Sequence, residues 1–600
     1  MRQQRLFTLI AISLPILLLL LTEAALKLAN FGHTYPVFVE ADFSEDYLMP
    51  NPELIKRFFH QGAVVPNVSP DTFYFKREKP SETIRIVVMG GSTAAGFPYG
   101  RFGSPAGLLT HQIRAVYPFL NVEIIPVAMA SINSYALRDM AKEIIDISPD
   151  AVLIYTGHNE YLGVMGVGSA FANKGSHTTN LLFLALKELR LFQLLQTLIN
   201  QPVDAHNISD GRTTMAAMAK EQRIPYQSDI YHKGITQFRN NLSNTLSQFS
   251  NEEIPVFIGN LVANERDQKP FASTDPASFP GILPLLRNRM ATQAKLDNIQ
   301  AWQNAQPYSA NVAYAKGSLL IEEGKHEDAL VALQQATDYD ELRFRAPSAF
   351  NTIINQATAN NDVHLVDIVS QFRHQATQGI IGSDLMLEHL HPTLRGYFVI
   401  ANSYLGALVD KGILPAPSYP MEKSAPFRWQ QVPLTPVDRL VAEYKIVQLT
   451  SDYPFAVPSK PVPPLGDESP YHTMAQERLD GKTWLAQQQS LLSLYQQQKE
   501  WKKAAQVAAL LFEALPTNKQ AAEAAAMLYL RAKEHRLAWY YARQALTFNP
   551  TSESIALALA QAQYRSEDET AAMQTLEELL IHHPDNQQAQ RYLNNLKASQ

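Results

Sequence analysis

The chain has 600 residues, of which 46% are hydrophobic and 18% charged, with a formal net charge of −6. At roughly 150 residues per domain this length suits several structural units and excludes a single small module; the lack of a basic excess argues against nucleic acid as a partner. There is no cysteine, which excludes disulfides, thiolate metal sites, cysteine nucleophiles and a lipid-modified cysteine anchor together.

At the N-terminus, Arg2 and Arg5 precede an uncharged stretch, residues 6–22, that ends in the run Leu17 to Leu21. At about 1.5 Å per residue it is just long enough to cross a hydrocarbon core. Basic residues before it and Glu23 after it favour a cytoplasmic N-terminus with the rest of the chain outside. The expectation is a single-pass protein of the cytoplasmic membrane whose bulk is periplasmic or otherwise extracytoplasmic. Residues 1–30 are the anchor and 31–82 an N-terminal extracytoplasmic segment. A cleaved signal peptide is the alternative, since Thr22-Glu23-Ala24 faintly resembles a cleavage site; apolar periodicity through Ala25, Leu26, Leu28 and Ala29 favours the anchor. Residues 181–199 carry Lys187, Glu188 and Arg190 among their leucines and read as amphipathic, not as a second span.

From Thr83 onward, apolar runs at 84–89, 122–128, 151–156, 254–259 and 363–368 alternate with amphipathic stretches. That is the βαβ pattern of a parallel sheet covered on both faces. The first run ends in MGGSTAAGF, where two glycines free the backbone to turn sharply and present the Ser92 hydroxyl at the sheet edge. A plain turn competes with this reading, and a phosphate loop fails for want of a lysine. The second run ends in VAMASINSYA, where a tight turn exposes a backbone N–H at Ala128 or a neighbour, or where Asn133 or Ser134 simply caps a helix. The third ends in YTGHNEYLG, placing Asn159 either to donate to an oxyanion or to cap the next turn.

Near the end of this region, SDLMLEHLHPTLRGY sets Glu388 three residues before His391. A histidine oriented by a carboxylate is the general base that a serine hydroxyl needs near neutral pH. A histidine that only caps the following helix is one alternative. Another is a metal site from His389 and His391 with His158 or Glu388; it is disfavoured because His-x-His shares one side only in a strand, and Pro392-Thr393 reads as a loop. Neither a metal nor a cofactor is expected.

Between the fourth and fifth runs, residues 311–340 have no strand character, and Gly317, Ala329 and Ala336 fall where two helices of a tetratricopeptide hairpin touch. An inserted helical hairpin is expected at about 305–345. Residues 411–480 are proline-rich, with Pro415, Pro433, Pro436, Pro458 and Pro470 among others, and read as an extended linker. Then a period of 34 is explicit: Pro516, Pro550 and Pro584 form one ladder, Ala504, Ala538 and Ala572 a second, and Tyr495 and Tyr529 a third. This resembles tetratricopeptide repeats over 484–586, with 587–598 as a capping helix and Leu511 and Leu579 as departures where alanine is usual. The repeats, 484–600 as a unit, either bind a protein partner or pack on the preceding domain.

Taken in order, GGSTAAG, AMASINSYA, GHNE and EHLHPTLRG resemble the Ser, Gly, Asn and acid-x-x-His blocks of the SGNH (GDSL-like) hydrolases, in a membrane-anchored, repeat-containing branch. Gly91 stands where aspartate is usual, Ala128 where glycine is, and Glu388 where aspartate is more common. NERDQKPFAS (from Asn264) and DELRFRAP (from Asp340) are further branch-like pieces. The resemblance, over residues 83–410, implies a flavodoxin-like three-layer αβα sandwich with the helical insertion. It implies Ser92 as nucleophile, His391 as base, Glu388 as its orienting acid, and an oxyanion hole from Ser92, Ala128 and Asn159. The expected substrate is an ester-bearing small molecule or O-acylated glycan, with water or a sugar hydroxyl as acceptor. The alternative is a catalytically degenerate sandwich serving as a repeat-bearing scaffold in the cell envelope.

Overall fold

The computed structural model describes residues 2–59, 65–169, 176–199, 222–358, 362–418 and 424–598. The first helix, Arg2–Leu28, includes a window from Ile10 to Leu28 that is long and apolar enough to cross a membrane and has no buried residue among the described residues. After it, β1 (Phe38–Ala41), β2 (Ser44–Pro50) and β3 (Phe75–Lys76) form a small antiparallel sheet. This N-terminal segment is not a separate layer. Val37, Leu48, Leu54, Phe58 and Phe75 join the main hydrophobic core, and the buried Arg57 guanidinium pairs with Asp139 at 2.6 Å and with Glu143.

The five apolar runs become β4 (Thr83–Gly90), β5 (Asn121–Pro126), β6 (Ala151–Tyr155), β7 (Val256–Gly259) and β8 (Val363–Val366). They pair in parallel in the order β5-β4-β6-β7-β8, the doubly wound order in which the chain leaves β4 toward one edge and returns on the other side to form β6. All of β6 and β7 is buried, as strands covered on both faces require. Helices Pro105–Val116, Ile368–Gln375 and Leu394–Asp410 pack together as one covering layer; Ser134–Asp146, Asp229–Asn251 and Ser348–Ala357 pack together as the other.

The inserted hairpin is present as Ala310–Glu322 and His326–Tyr339. A Cβ on Gly317 would lie 2.5 Å from Leu333 Cγ, so only glycine permits this approach. The insertion starts earlier than residue 305, because Ile282–Arg287 and Thr292–Ala305 pack against the hairpin.

The expectation of an extended linker at 411–480 is corrected. Helices Ala425–Trp429, Pro436–Thr450 and Pro470–Leu479 occupy it, Leu434 enters the sandwich core and Val437 the core of the repeats. Pro426, Pro436 and Pro470 each sit in the first turn of a helix, where the missing N–H costs nothing and the fixed φ suits the helix. The prolines start helices here instead of preventing them.

Beyond lie three antiparallel helix pairs, Trp484–Gln497 with Trp501–Ala514, Lys519–Arg531 with His535–Phe548, and Glu553–Arg565 with Glu569–His582, then Gln587–Ala598. This C-terminal stretch resembles a tetratricopeptide solenoid. Ala504, Ala538 and Ala572 are buried where successive helices meet, as are Tyr495 and Tyr529, and also Leu511 and Leu579. The array is docked on the sandwich. Arg536 donates to the Ala115 and Val116 carbonyls at 2.8 and 2.5 Å, a cation on the open C-terminal end of helix Pro105–Val116. Beneath it the buried Glu513 carboxylate meets Arg114, His111 Nε2 at 3.0 Å and the Tyr541 hydroxyl at 2.6 Å.

Candidate active site

The winding of the chain decides where the chemistry gathers. The crevice at the reversal between β4 and β6 lies beyond their carboxyl ends, and Ser92 and Asn159 follow those two strands. Gly90 makes the turn possible, since a Cβ there would lie 2.1 Å from the Tyr155 carbonyl oxygen on β6. Past it, the Gly91 and Ser92 carbonyls accept from Ala95 and Phe97 at 3.0 Å each, so Ser92 opens a coiled turn.

His391 comes to Ser92 from 299 positions away, and its Nε2 lies 2.7 Å from Ser92 Oγ. The loop that carries it is pinned to its own start by Leu387 N–H donating to the His391 carbonyl and Thr393 N–H to the Leu385 carbonyl, each at 2.8 Å. Two tyrosines join this loop's helix to the serine turn: the Tyr397 hydroxyl donates to the Phe97 carbonyl at 2.6 Å, and Leu394 N–H donates to the Tyr99 hydroxyl at 3.2 Å. Behind the loop, Asn264 N–H donates to the His389 carbonyl at 2.9 Å, and Arg345 bridges the Asn264 carbonyl to the Asp340 carboxylate at 2.9 and 3.0 Å. The segments at 264–273 and 340–347 are therefore braces for the histidine loop.

The Glu388 carboxylate is fully engaged. One oxygen accepts from His391 N–H at 3.0 Å and faces His391 Nδ1; the other faces His389 Nδ1. A carboxylate can only accept, so each imidazole carries its proton on Nδ1, and His391 Nε2 is left as the acceptor for the Ser92 hydroxyl. Burial pulls His391 down to about 3 from an ordinary 6.5, and lowers His389 as well. His391 is thus a neutral base across the ordinary pH range. The nearby Asp384 carboxylate is turned away: it accepts from Thr377 N–H at 2.7 Å and from Arg266 at 3.1 Å.

Asn159 reaches the same cavity, and its Nδ2 donates to the Ile132 carbonyl at 3.1 Å; the amide's second N–H is available to a ligand. A Cβ on Gly91 would stand 2.9 Å from that Nδ2, so glycine here makes room for the amide. Ala128 does not reach the cavity. It lies between Val127 and Met129, whose N–H groups bond the Val88 and Gly90 carbonyls of β4 at 2.9 and 3.1 Å, and it is buried behind the wall. The backbone that lines the cavity belongs to Ala130 and Ser131, with Ser131 at a φ of 70°, a conformation that favours glycine or a short polar residue. Asn133 caps the following helix by accepting from Tyr135 N–H at 3.2 Å, and Ser134 binds the buried Glu160.

The cavity has a volume of about 610 Å³. Sequence reading missed part of its wall: Asn67 and Val68 from the N-terminal segment, and Lys445, Gln448 and Leu449 from helix Pro436–Thr450. No signal in those stretches points to a site; they reach it only through the fold. His389 also lines the cavity, boxed by the rings of Phe271, Phe344 and Phe455.

Ligand atoms of Glu388, His389 and His391 lie within 4.8 Å of one another, so this cluster has the composition of a cation site. An ion there would have to displace the Nδ1 protons that already satisfy Glu388, and His158 is turned elsewhere, its Nδ1 accepting from Ala346 N–H at 3.2 Å.

Fold and site together define a mixed α/β protein with a parallel sheet, a serine–histidine–glutamate constellation at its switch point and a C-terminal helical-repeat array. No protein-family model matches the chain, and no curated protein matches it. Among solved structures, the chain is similar to the "Crystal Structure of P58(IPK) TPR Domain" at 12% identity, over 51% of this chain and 93% of that one, with a TM-score of 0.17. The repeat assignment rests on the 34-residue ladders and the helix pairs.

Proposed function

We propose that this chain is a membrane-anchored, extracytoplasmic serine ester hydrolase or acyl transferase of the SGNH type. The observation that carries the reading is the relay from Ser92 Oγ, 2.7 Å from His391 Nε2, through Nδ1 to Glu388. His391 takes the Ser92 proton as the oxygen attacks an ester carbonyl, and Glu388 stabilises the imidazolium that forms. The developing oxyanion is met by the Asn159 amide and by backbone N–H groups at Ser92 and at the Ala130–Ser131 wall, in place of Ala128. His391 then protonates the leaving alcohol, and water or a sugar hydroxyl releases the acyl group. The ester belongs to a small molecule or an O-acylated glycan.

The anchor reading is supported by Glu23, whose carboxylate accepts from Arg190 and Leu191 N–H at 3.0 and 2.8 Å; cleavage near Ala25 would discard that contact. A second reading, an envelope scaffold, is favoured by the repeat array itself, whose second and third pairs leave Met527 and Ile581 exposed for a protein partner. A fluorophosphonate probe tests the choice. Labelling at Ser92, lost in Ser92→Ala, is the expected result; a folded protein that never labels and hydrolyses no p-nitrophenyl ester would leave the scaffold.

A further inference from the structure

Helix Arg190–Ile199 is built inside out. Its buried side chains are Gln193 and Gln196, 4% and 8% exposed, whereas Leu198 and Ile199 are 73% and 75% exposed and Leu195 is exposed beside them. In water a surface helix turns its leucines inward. Leu182 and Leu189, just before it, are exposed too, so five large apolar side chains of residues 182–199 face outward.

The helix is not loose. Glu23, on the apolar helix Arg2–Leu28, caps its first turn through Arg190 and Leu191 N–H. Gln193 pairs with the backbone of His33 in both directions, accepting from its N–H at 3.0 Å and donating to its carbonyl at 2.7 Å. Gln193 is thus a rivet that holds this helix against the end of the span, and Leu195, Leu198 and Ile199 are what remains outside. Lys27, 60% exposed and 3.6 Å from Glu23, adds a cation at the same level.

We infer that helix Arg190–Ile199 lies in the outer interface of the bilayer, with Leu195, Leu198 and Ile199 in the acyl boundary, and so sets the orientation of the α/β domain on the membrane. The occupant follows from continuity: helix Arg190–Ile199 packs on the end of a helix none of whose membrane-crossing window is buried, and no other element of the described chain buries Leu195, Leu198 or Ile199. A helix in this position buries its apolar face about 5–10 Å into the headgroup and acyl boundary. The inference rests on the anchor reading above.

The test uses the absence of cysteine from the chain. Full-length protein carrying Leu198→Cys, Leu18→Cys or Met527→Cys is labelled with an environment-sensitive fluorophore and reconstituted in phosphatidylcholine and phosphatidylglycerol vesicles. A nitroxide high on the acyl chain should quench the 198 label more than a deep one, with the reverse order at 18. Aqueous iodide should quench 198 several-fold less than 527. If 18 is quenched by lipid while 198 behaves as 527, the interfacial helix is overturned and the anchor stands. If 198 is shielded from iodide and lipid alike, a protein surface covers it and the inference fails. Loss of lipid quenching at 18 overturns the anchor, and the inference with it.

Discussion

The candidate site and the repeat array solve opposite problems. Ser92 and His391 are 299 positions apart in sequence and meet within 2.7 Å, because a doubly wound sheet brings its strand ends to one crevice. In the repeats, equivalent alanines recur 34 positions apart, and each helix packs mainly on the next. Chemistry is assembled by global topology; the array is assembled by neighbours. The two regions meet at Glu513, the buried anion that Arg114 and His111 satisfy from the sandwich side, where arginine and histidine hold its carboxyl down at about 2.

If the regions are independent in this sense, damage in one should not be read in the other. The largest effect is expected at the site: Ser92→Ala and His391→Ala should each cut ester turnover by roughly 10⁴- to 10⁶-fold, with the double variant little worse than either, because the pair acts as a unit. The melting temperature of Ser92→Ala should stay that of the parent. Rates that multiply in the double variant would break the relay.

Glu513→Ala should do the reverse. It strands the buried Arg114 charge and should cost about 3–5 kcal/mol in denaturant unfolding, with turnover per folded molecule retained. A lost activity with intact stability would show that the array acts on the site. Asn159→Ala comes next, with roughly 100- to 1000-fold lower turnover if its amide meets the oxyanion; an unchanged rate would confine Asn159 to bracing Ile132.

Smaller still is the pH dependence of stability. His158 and His391 are each pulled by burial to about 3 from 6.5, and His389 is lowered. Depressed histidines bind fewer protons folded than unfolded, so their stability is present above about 6.5 and is lost as pH falls toward 3. Glu160, raised to about 7 by burial, opposes them between 7 and its ordinary 4.5, and Asp71, Glu265, Asp338 and Asp438, also raised by burial, oppose them too. His177, His364 and His535, lowered by burial, act with the other histidines. The six histidines, whose ordinary 6.5 lies between pH 7 and pH 5, outweigh the carboxylates, whose ordinary 3.8 or 4.5 lies below that window. The melting temperature should therefore fall from pH 7 to pH 5; a rise would mean these histidines are solvated. The smallest effect contrasts two acids near the base: Glu388→Gln should slow turnover less than His391→Ala, and Asp384→Asn, whose carboxylate serves Thr377 and Arg266, should be nearly silent.

Much of this molecule was legible in its sequence, wherever a local pattern has a local cause. Strand runs buried on both faces, an unbroken leucine run in the first helix and alanine ladders at 34 residues each report directly on the surface they must cover. Ser92 and Asn159 were legible because they follow strands whose ends meet at one crevice; Glu388–His391, on a loop well past the last strand, was legible only as a local acid-x-x-His piece. What the tertiary structure alone decided is where residues without a pattern of their own finish. It moved the backbone wall from Ala128, whose neighbours are spent on β4, to Ala130 and Ser131. It turned a proline-rich stretch into helices that bring Lys445 and Leu449 to the cavity, gave Glu388 two histidines to hold, and exposed the leucines of helix Arg190–Ile199 by burying its glutamines. Each of these depends on which surface arrives from a distant part of the chain, and no local periodicity encodes that.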